Sequence, residues 1–128
     1  MNIVFGIAIG VGAALGAIVR WLLSLGLNRV LPTLPLGTLA ANLIGAFLMG
    51  IAMAVFVQYD SIPLVWRLAL TTGFLGGLTT FSSFSAETML LIERGQWLAT
   101  GTIIGTHVIG SLALTFAGYA LIHWLLRN

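Results

Sequence analysis

The sequence predicts an all-α integral membrane protein with four transmembrane helices per subunit, the third broken near the membrane centre, forming a single domain over residues 1–128. Three observations carry this. Hydrophobic residues make up 59% of the chain and charged residues only 6%, with a mean hydropathy of +1.11, whereas soluble domains carry roughly a quarter of their residues charged. The apolar residues fall into four runs, each long enough for the ~20 residues that a bilayer crossing needs. The third run is too long for one straight crossing and is interrupted by polar residues.

The first span is expected over Ile3 to Leu27. Its opening, MNIVFGIAIG, has neither a positive n-region nor a small-residue cleavage site followed by polar sequence, so it is expected to be retained and the chain to begin at Met1. Asn28 and Arg29 precede Pro32 and Pro35, which punctuate the first connector. The second span is expected over Leu36 to Val57, followed by Tyr59-Asp60-Ser61 and Pro63. The third is expected from Ile62 to Ile92; as one helix it would run about 46 Å at 1.5 Å per residue, against a hydrocarbon core of about 30 Å. Within it Gly73 to Ser85 reads GFLGGLTTFSSFS. Lipid tolerates irregular backbone only where protein shields it or it lines a polar cavity. A break at Gly76-Gly77-Leu78 leaves a helical piece on each side, with Thr79 or Thr80 to cap the second. Glu93-Arg94-Gly95 forms the last connector and Trp97 to Leu126 the fourth span. Trp21, Tyr59, Trp66, Trp97 and Trp124 lie near span ends, where aromatic side chains suit the membrane interface.

Glycine pairs Gly6/Gly10, Gly12/Gly16 and Gly101/Gly105 have the spacing that lets membrane helices approach closely. Four helices are too few to enclose an aqueous path and also cover it from lipid, so an oligomer is expected. All five basic residues are arginines. Arg67 and Arg127 fall on the N-terminal side and Arg29 and Arg94 on the other, with Arg20 near it. Orientation normally follows an excess of basic residues on the cytoplasmic side; this near tie allows insertion in both directions and an antiparallel, dual-topology homodimer.

Several functions are disfavoured. The absence of cysteine removes disulfides and thiolate chemistry. The scattered arginines offer no basic patch for nucleic acid. Two histidines and three acids, widely separated, make a side-chain metal site a poor prospect. An enzyme would need a serine of Ser82, Ser83 or Ser85 to meet His107 as its base, and nothing in the spacing brings them together; no enzymatic activity is expected.

The polar residues inside the spans form stripes. Phe81, Phe84 and Thr88 share one helical face, and Thr80, Ser83 and Glu87 the next. Phenylalanines in a membrane helix ordinarily face lipid or pack in a core. These follow a hydroxyl-rich break, and a ring's positive edge aimed into a narrow passage favours a small anion without offering a full charge. His107, Ser111 and Thr115 share a face of the fourth span; hydroxyls there can equally bond their own backbone and the histidine a neighbouring helix. Asn42, with Thr38 a turn before it and Gly45 beyond, offers two N–H donors and a carbonyl. Its alternative role is an interhelical hydrogen bond. Glu87 and Arg20 are the ionisable residues placed within span boundaries, where such groups are functional hypotheses by default. Glu87 as a titrating group would suit a small proton-coupled exporter, and the glycine faces alone would suit a non-transporting scaffold. Backbone carbonyls freed at a helix break can hold a hard monovalent cation.

Three segments, GAALGAIVRW at Gly12 to Trp21, GTLAANLIGAFLMG at Gly37 to Gly50 and GFLGGLTTFSSFS at Gly73 to Ser85, resemble the Fluc (CrcB-type) fluoride channels of bacteria, over all four spans. The resemblance implies passive fluoride export across the bacterial plasma (inner) membrane by an antiparallel homodimer in the lipid bilayer, with two fluoride pathways built from both subunits. It implies Phe81 and Phe84 as ring edges on the ion path and Asn42 as a donor. Thr80, Ser83 and Glu87, with Ser111 and Thr115, would extend a polar track beside the rings, Thr38 would join the pathway beside Asn42, and Arg20 would draw anions to the vestibule. It further implies a structural sodium ion at the dimer centre, held by the carbonyls of Gly76 and Thr79.

Overall fold

The computed structural model describes residues 2–128, and every residue in regular structure is helical. Helix α1, Ile3–Leu27, starts where the Asn2 side chain accepts from the Val4 N–H, a cap that satisfies one of the donors left free at a helix start. Helix α2, Leu36–Gln58, follows a connector in which Asn28 Oδ1 accepts the Gly37 N–H at 2.7 Å. A third helical run begins with α3, Leu64–Leu68, continues as a π-helical stretch, Ala69–Leu75, and ends in the single turn α4, Gly76–Leu78. Thr79 (φ −84°, ψ 156°) and Thr80 (φ −152°, ψ 115°) are extended. Helix α5, Phe81–Glu93, then begins with Thr80 as its N-cap, its hydroxyl accepting the Ser83 N–H. Helix α6, Trp97–Arg127, completes the fold.

The expected spans agree with these boundaries within two residues. Helices α1, α2 and α6 are each long and apolar enough to cross a membrane. The extended residues are Thr79 and Thr80, not the expected Gly76-Gly77-Leu78, which is still helical. The glycines serve a different purpose, close approach. A Cβ on Gly77 would run into the Ala13 carbonyl, and one on Gly16 into the Phe74 carbonyl. Gly12 and Gly16 thus let α1 lie directly against the π-helical stretch and α4.

Helices α2 and α6 pack along each other by the same device. Gly50 meets the Thr115 carbonyl and Gly118 the Phe47 carbonyl, and the Thr115 hydroxyl donates across the interface to the Ala46 carbonyl at 3.0 Å. Gly6, Gly10, Gly101 and Gly105 have nothing within 4 Å where a Cβ would stand, so their spacing serves no helix contact among the described residues. The core is small: Ala41, Leu75 and Leu78 between α2 and the third run, and Phe84, Leu91 and Ile103 between α5 and α6. Ile7, Val11, Leu15 and Ile18 on α1, and Ile109, Leu112 and Phe116 on α6, stay exposed, an outward apolar surface suited to lipid or another protein.

Candidate functional site

Thr80, the second of the two extended threonines, leaves a backbone N–H and a carbonyl that helical bonding would otherwise satisfy, whereas the Thr79 N–H still reaches the Leu75 carbonyl at 3.0 Å. Asn42, on α2, takes them: its Oδ1 accepts the Thr80 N–H at 2.7 Å and its Nδ2 donates to the Thr80 carbonyl at 3.0 Å. The side-chain amide thus pairs with the backbone as a neighbouring strand would, satisfying a donor and an acceptor in a residue only 9% exposed. The approach is permitted by Gly45, where a Cβ would strike Thr79 Cγ2. Because the Thr80 N–H now bonds Asn42, it is lost to the Gly76 carbonyl, its partner in a continuous α-helix. Thr79 turns its hydroxyl back to the Leu75 carbonyl at 2.8 Å. Arg20 reaches from α1 to the next carbonyl along, its Nε donating to Gly77 at 3.1 Å.

Beside this junction lies a cavity of about 460 Å³ between α2, the third run, α5 and α6. Eight of the expected site residues line it: Asn42, Gly76, Thr79, Thr80, Phe81, Phe84, Ser111 and Thr115. Phe81 and Phe84 meet edge to face with centroids 5.5 Å apart. They share a helix but not an environment, since Phe84 is 7% exposed and Phe81 76%. The cavity therefore lacks a wall on the Phe81 side within one chain.

The remaining four stand off the cavity. The Ser83 hydroxyl accepts from the Thr80 hydroxyl at 3.1 Å. Thr38 donates to Glu87 Oε1 at 2.6 Å, and Glu87 Oε2 is buried without a hydrogen-bond partner among the described residues. Thr80, Ser83 and Glu87 thus keep their stripe along α5, and Thr38 joins it from α2. Thr88 keeps its place on the Phe81–Phe84 face of α5 but is buried away from the cavity, its hydroxyl donating to the Phe84 carbonyl at 2.7 Å. Arg20 touches the helix end rather than the cavity lining.

His107 is the residue whose importance the spacing understated. It is 4% exposed, lines the cavity, stacks on Phe84 at a centroid distance of 4.6 Å and stands with Nδ1 2.9 Å from Asn42 Nδ2. Its place one turn before Ser111 was the available signal; its partners were not. Its bond to Asn42 ties it to the Thr80 junction and to no serine of α5. No cluster of metal-binding side chains occurs among the described residues, so a cation here would depend on backbone carbonyls.

Apolar helices in series, three of them long and apolar enough to cross a membrane, with polar side chains gathered beside a cavity that opens at Phe81, define a multi-pass membrane protein. Residues 7–119 match the family profile described as CrcB-like protein, Camphor Resistance (CrcB), and the chain belongs to that family. It is 52% identical over 122 residues to a protein of Tolumonas auensis, covering 95% of this chain and 96% of that one. It is 50% identical over 121 residues to one of Chromobacterium violaceum (94% and 96% covered) and 53% identical over 121 residues to one of Nitrosospira multiformis (94% of each). All three bear the name fluoride-specific ion channel FluC. Those are names of ion channels and not of enzymes.

Proposed function

We propose that this protein is a fluoride-selective channel that lets fluoride leave the cell passively, driven by a membrane potential negative inside. The observation that carries this is the junction at Asn42 and Thr80 beside the Phe81–Phe84 pair: amide and hydroxyl donors and aromatic edges meet on one cavity in an apolar chain. The near-full-length likeness to relatives named fluoride-specific ion channels supports the choice of ion. Fluoride exchanges water for Asn42 and hydroxyl donors, passes the ring edges of Phe81 and Phe84, and meets Ser111 and Thr115 on the α6 side. No full positive charge lines the cavity, so binding favours entry yet permits exit, as conduction requires. Thr80, Ser83, Glu87 and Thr38 form a polar track beside the rings, and Arg20 draws anions toward it.

The working unit is an antiparallel dual-topology homodimer with two pores in the bacterial inner membrane. The missing wall at Phe81, the open faces at Gly6/Gly10 and Gly101/Gly105, and the balanced arginines support a second copy of the chain. Residues 1–128 form one domain, in which Leu64–Leu78 and Phe81–Glu93 make a single crossing interrupted near the bilayer centre. The Gly76 and Thr79 carbonyls hold a structural sodium ion where two such junctions meet; the redirected Thr80 N–H supports this, because it leaves the Gly76 oxygen without its helical donor.

The test is fluoride efflux from liposomes containing purified protein, with a potassium ionophore to carry compensating charge. Fast fluoride release with little chloride release is expected; equal chloride release, or none of either, overturns the proposal. A proton-coupled exporter is the second reading, favoured by the buried, unpartnered Glu87 Oε2. It requires fluoride flux that follows a proton gradient and vanishes in Glu87→Gln.

A further inference from the structure

The hydrogen atoms of the Asn42 amide can be assigned from its partners. The Thr80 N–H is a donor and the Thr80 carbonyl an acceptor, so the atom facing the first is Oδ1 and the atom facing the second is Nδ2. Nδ2 carries two N–H groups and no usable lone pair. One goes to Thr80; the other points at His107 Nδ1, 2.9 Å away. His107 Nδ1 must therefore accept, which puts the ring proton of the neutral imidazole on Nε2. Both donors of Asn42 are thus committed within the protein, although an amide that hydrates an anion must have an N–H to give. The Thr80 bond belongs to the two-way pair that holds the helix junction, and breaking it strands a backbone carbonyl. The His107 bond is the one that can open without disturbing the backbone.

We infer that His107 is a positioning residue of the anion path: it holds the second Asn42 N–H while no ion is present and yields that donor to fluoride as the ion arrives. This rests on the fluoride pathway proposed above. The consequence is a site that is never an empty trap. Fluoride gains the amide only by displacing an acceptor already in place, so its binding at Asn42 is weakened by the strength of the bond it replaces. The stack of the imidazole on Phe84 (4.6 Å) keeps the ring where it can recapture the N–H when the ion moves on, and the Asn42 amide stays oriented throughout by Thr80.

Two substitutions separate the acceptor from the ring. His107→Phe keeps an aromatic ring against Phe84 and removes the acceptor; His107→Asn keeps an acceptor at the depth of Nδ1 and removes the ring. The initial rate of fluoride efflux from liposomes is measured against fluoride concentration. His107→Phe is expected to lower the half-saturating concentration about threefold to tenfold, the factor for one competing neutral hydrogen bond, and His107→Asn to restore it to within about twofold of wild type. An unchanged or raised half-saturating concentration in His107→Phe, or the same shift in both variants, overturns the inference. Should His107→Phe fail to fold, 15N spectra of the wild-type protein in bilayers decide the matter, with His123→Gln used to assign the two histidines. In sodium chloride His107 Nδ1 is expected to be unprotonated and hydrogen-bonded, and in sodium fluoride its resonance shifts toward that of a free ring nitrogen. A protonated Nδ1, or a resonance indifferent to fluoride at concentrations that saturate flux, overturns the inference. A wild-type protein that passes no fluoride overturns the channel reading itself.

Discussion

Asn42→Ala removes, with one side chain, three hydrogen bonds that join separate parts of the fold: to the Thr80 N–H at 2.7 Å, the Thr80 carbonyl at 3.0 Å and His107 Nδ1 at 2.9 Å. Interhelical side-chain bonds in membranes average only about 0.6 kcal/mol each, because the separated helices find other partners. Two of these three are different. They satisfy the backbone of an extended residue between helices, which has no helical alternative, and leaving a buried backbone group unpaired costs about 1–3 kcal/mol. Water entering the adjoining 460 Å³ cavity repairs part of that loss, since a polar site of this size can hold it. The expected net cost is about 2–3 kcal/mol. Thr115→Val serves as the reference: it removes one interhelical bond, to the Ala46 carbonyl at 3.0 Å, and should cost about 0.6 kcal/mol. Both variants are compared with wild type by reversible unfolding in mixed micelles, and fluoride flux is measured in liposomes under conditions where each remains folded. Asn42→Ala should be the less stable of the two by a clear margin and should lose most fluoride flux. A stability loss no greater than that of Thr115→Val would refute the view that Asn42 holds the junction, and full flux would refute its place on the ion path.

Phe81→Ile and Phe84→Ile keep apolar bulk but remove the ring edges; each is expected to cut fluoride efflux at least tenfold while the purified protein keeps its elution position on size exclusion. Glu87→Gln retains an acceptor for the Thr38 hydroxyl, so efflux driven by membrane potential alone should persist, and its disappearance would favour proton coupling. Gly77→Ala presses a Cβ into the Ala13 carbonyl and should cost several kcal/mol of stability, as forced overpacking does. Gly101→Ala meets nothing among the described residues, so its stability within one chain should be unchanged; dissociation of the proposed dimer in detergent on this substitution is the expected result, and an unchanged oligomeric state would count against a contact between copies there. Protein prepared without sodium, in an N-methylglucamine buffer, should show reduced fluoride flux that sodium restores; flux indifferent to sodium would overturn the proposed sodium site.

The helix limits were legible because they depend on quantities summed along the chain. Apolarity over about twenty residues and punctuation by Asn28, Pro35, Asp60 and Gly95 gave α1, α2 and α6 to within a residue of where they lie. The hydroxyl stripe Thr80–Ser83–Glu87 was legible for a similar reason: helical periodicity fixes which residues share a face. The expected break at Gly76-Gly77-Leu78 lies just before the extended pair, because glycine's conformational freedom looks like the cause of the irregularity. In the structure those glycines are helical, and their missing side chains matter for the approach of α1. The chain leaves the helix at Thr79 and Thr80 instead, where Asn42 supplies hydrogen bonds that the sequence around the threonines does not contain.

By itself, then, the sequence determined the class of protein, the extent of its long helices and the residues that share the polar and aromatic stripes, because hydrophobic length and helical period are local properties. The tertiary structure decided which of those residues act together. Asn42 meets a residue 38 positions away and a histidine 65 positions away, Arg20 spends its Nε on the Gly77 carbonyl, and Phe81 and Phe84, neighbours on one stripe, end at 76% and 7% exposure. Each outcome depends on how closely separate helices approach and in what register. Glycines such as Gly45, Gly16 and Gly77 set that distance through the particular carbonyls and side chains they meet, and a glycine's place in the chain does not say which those are.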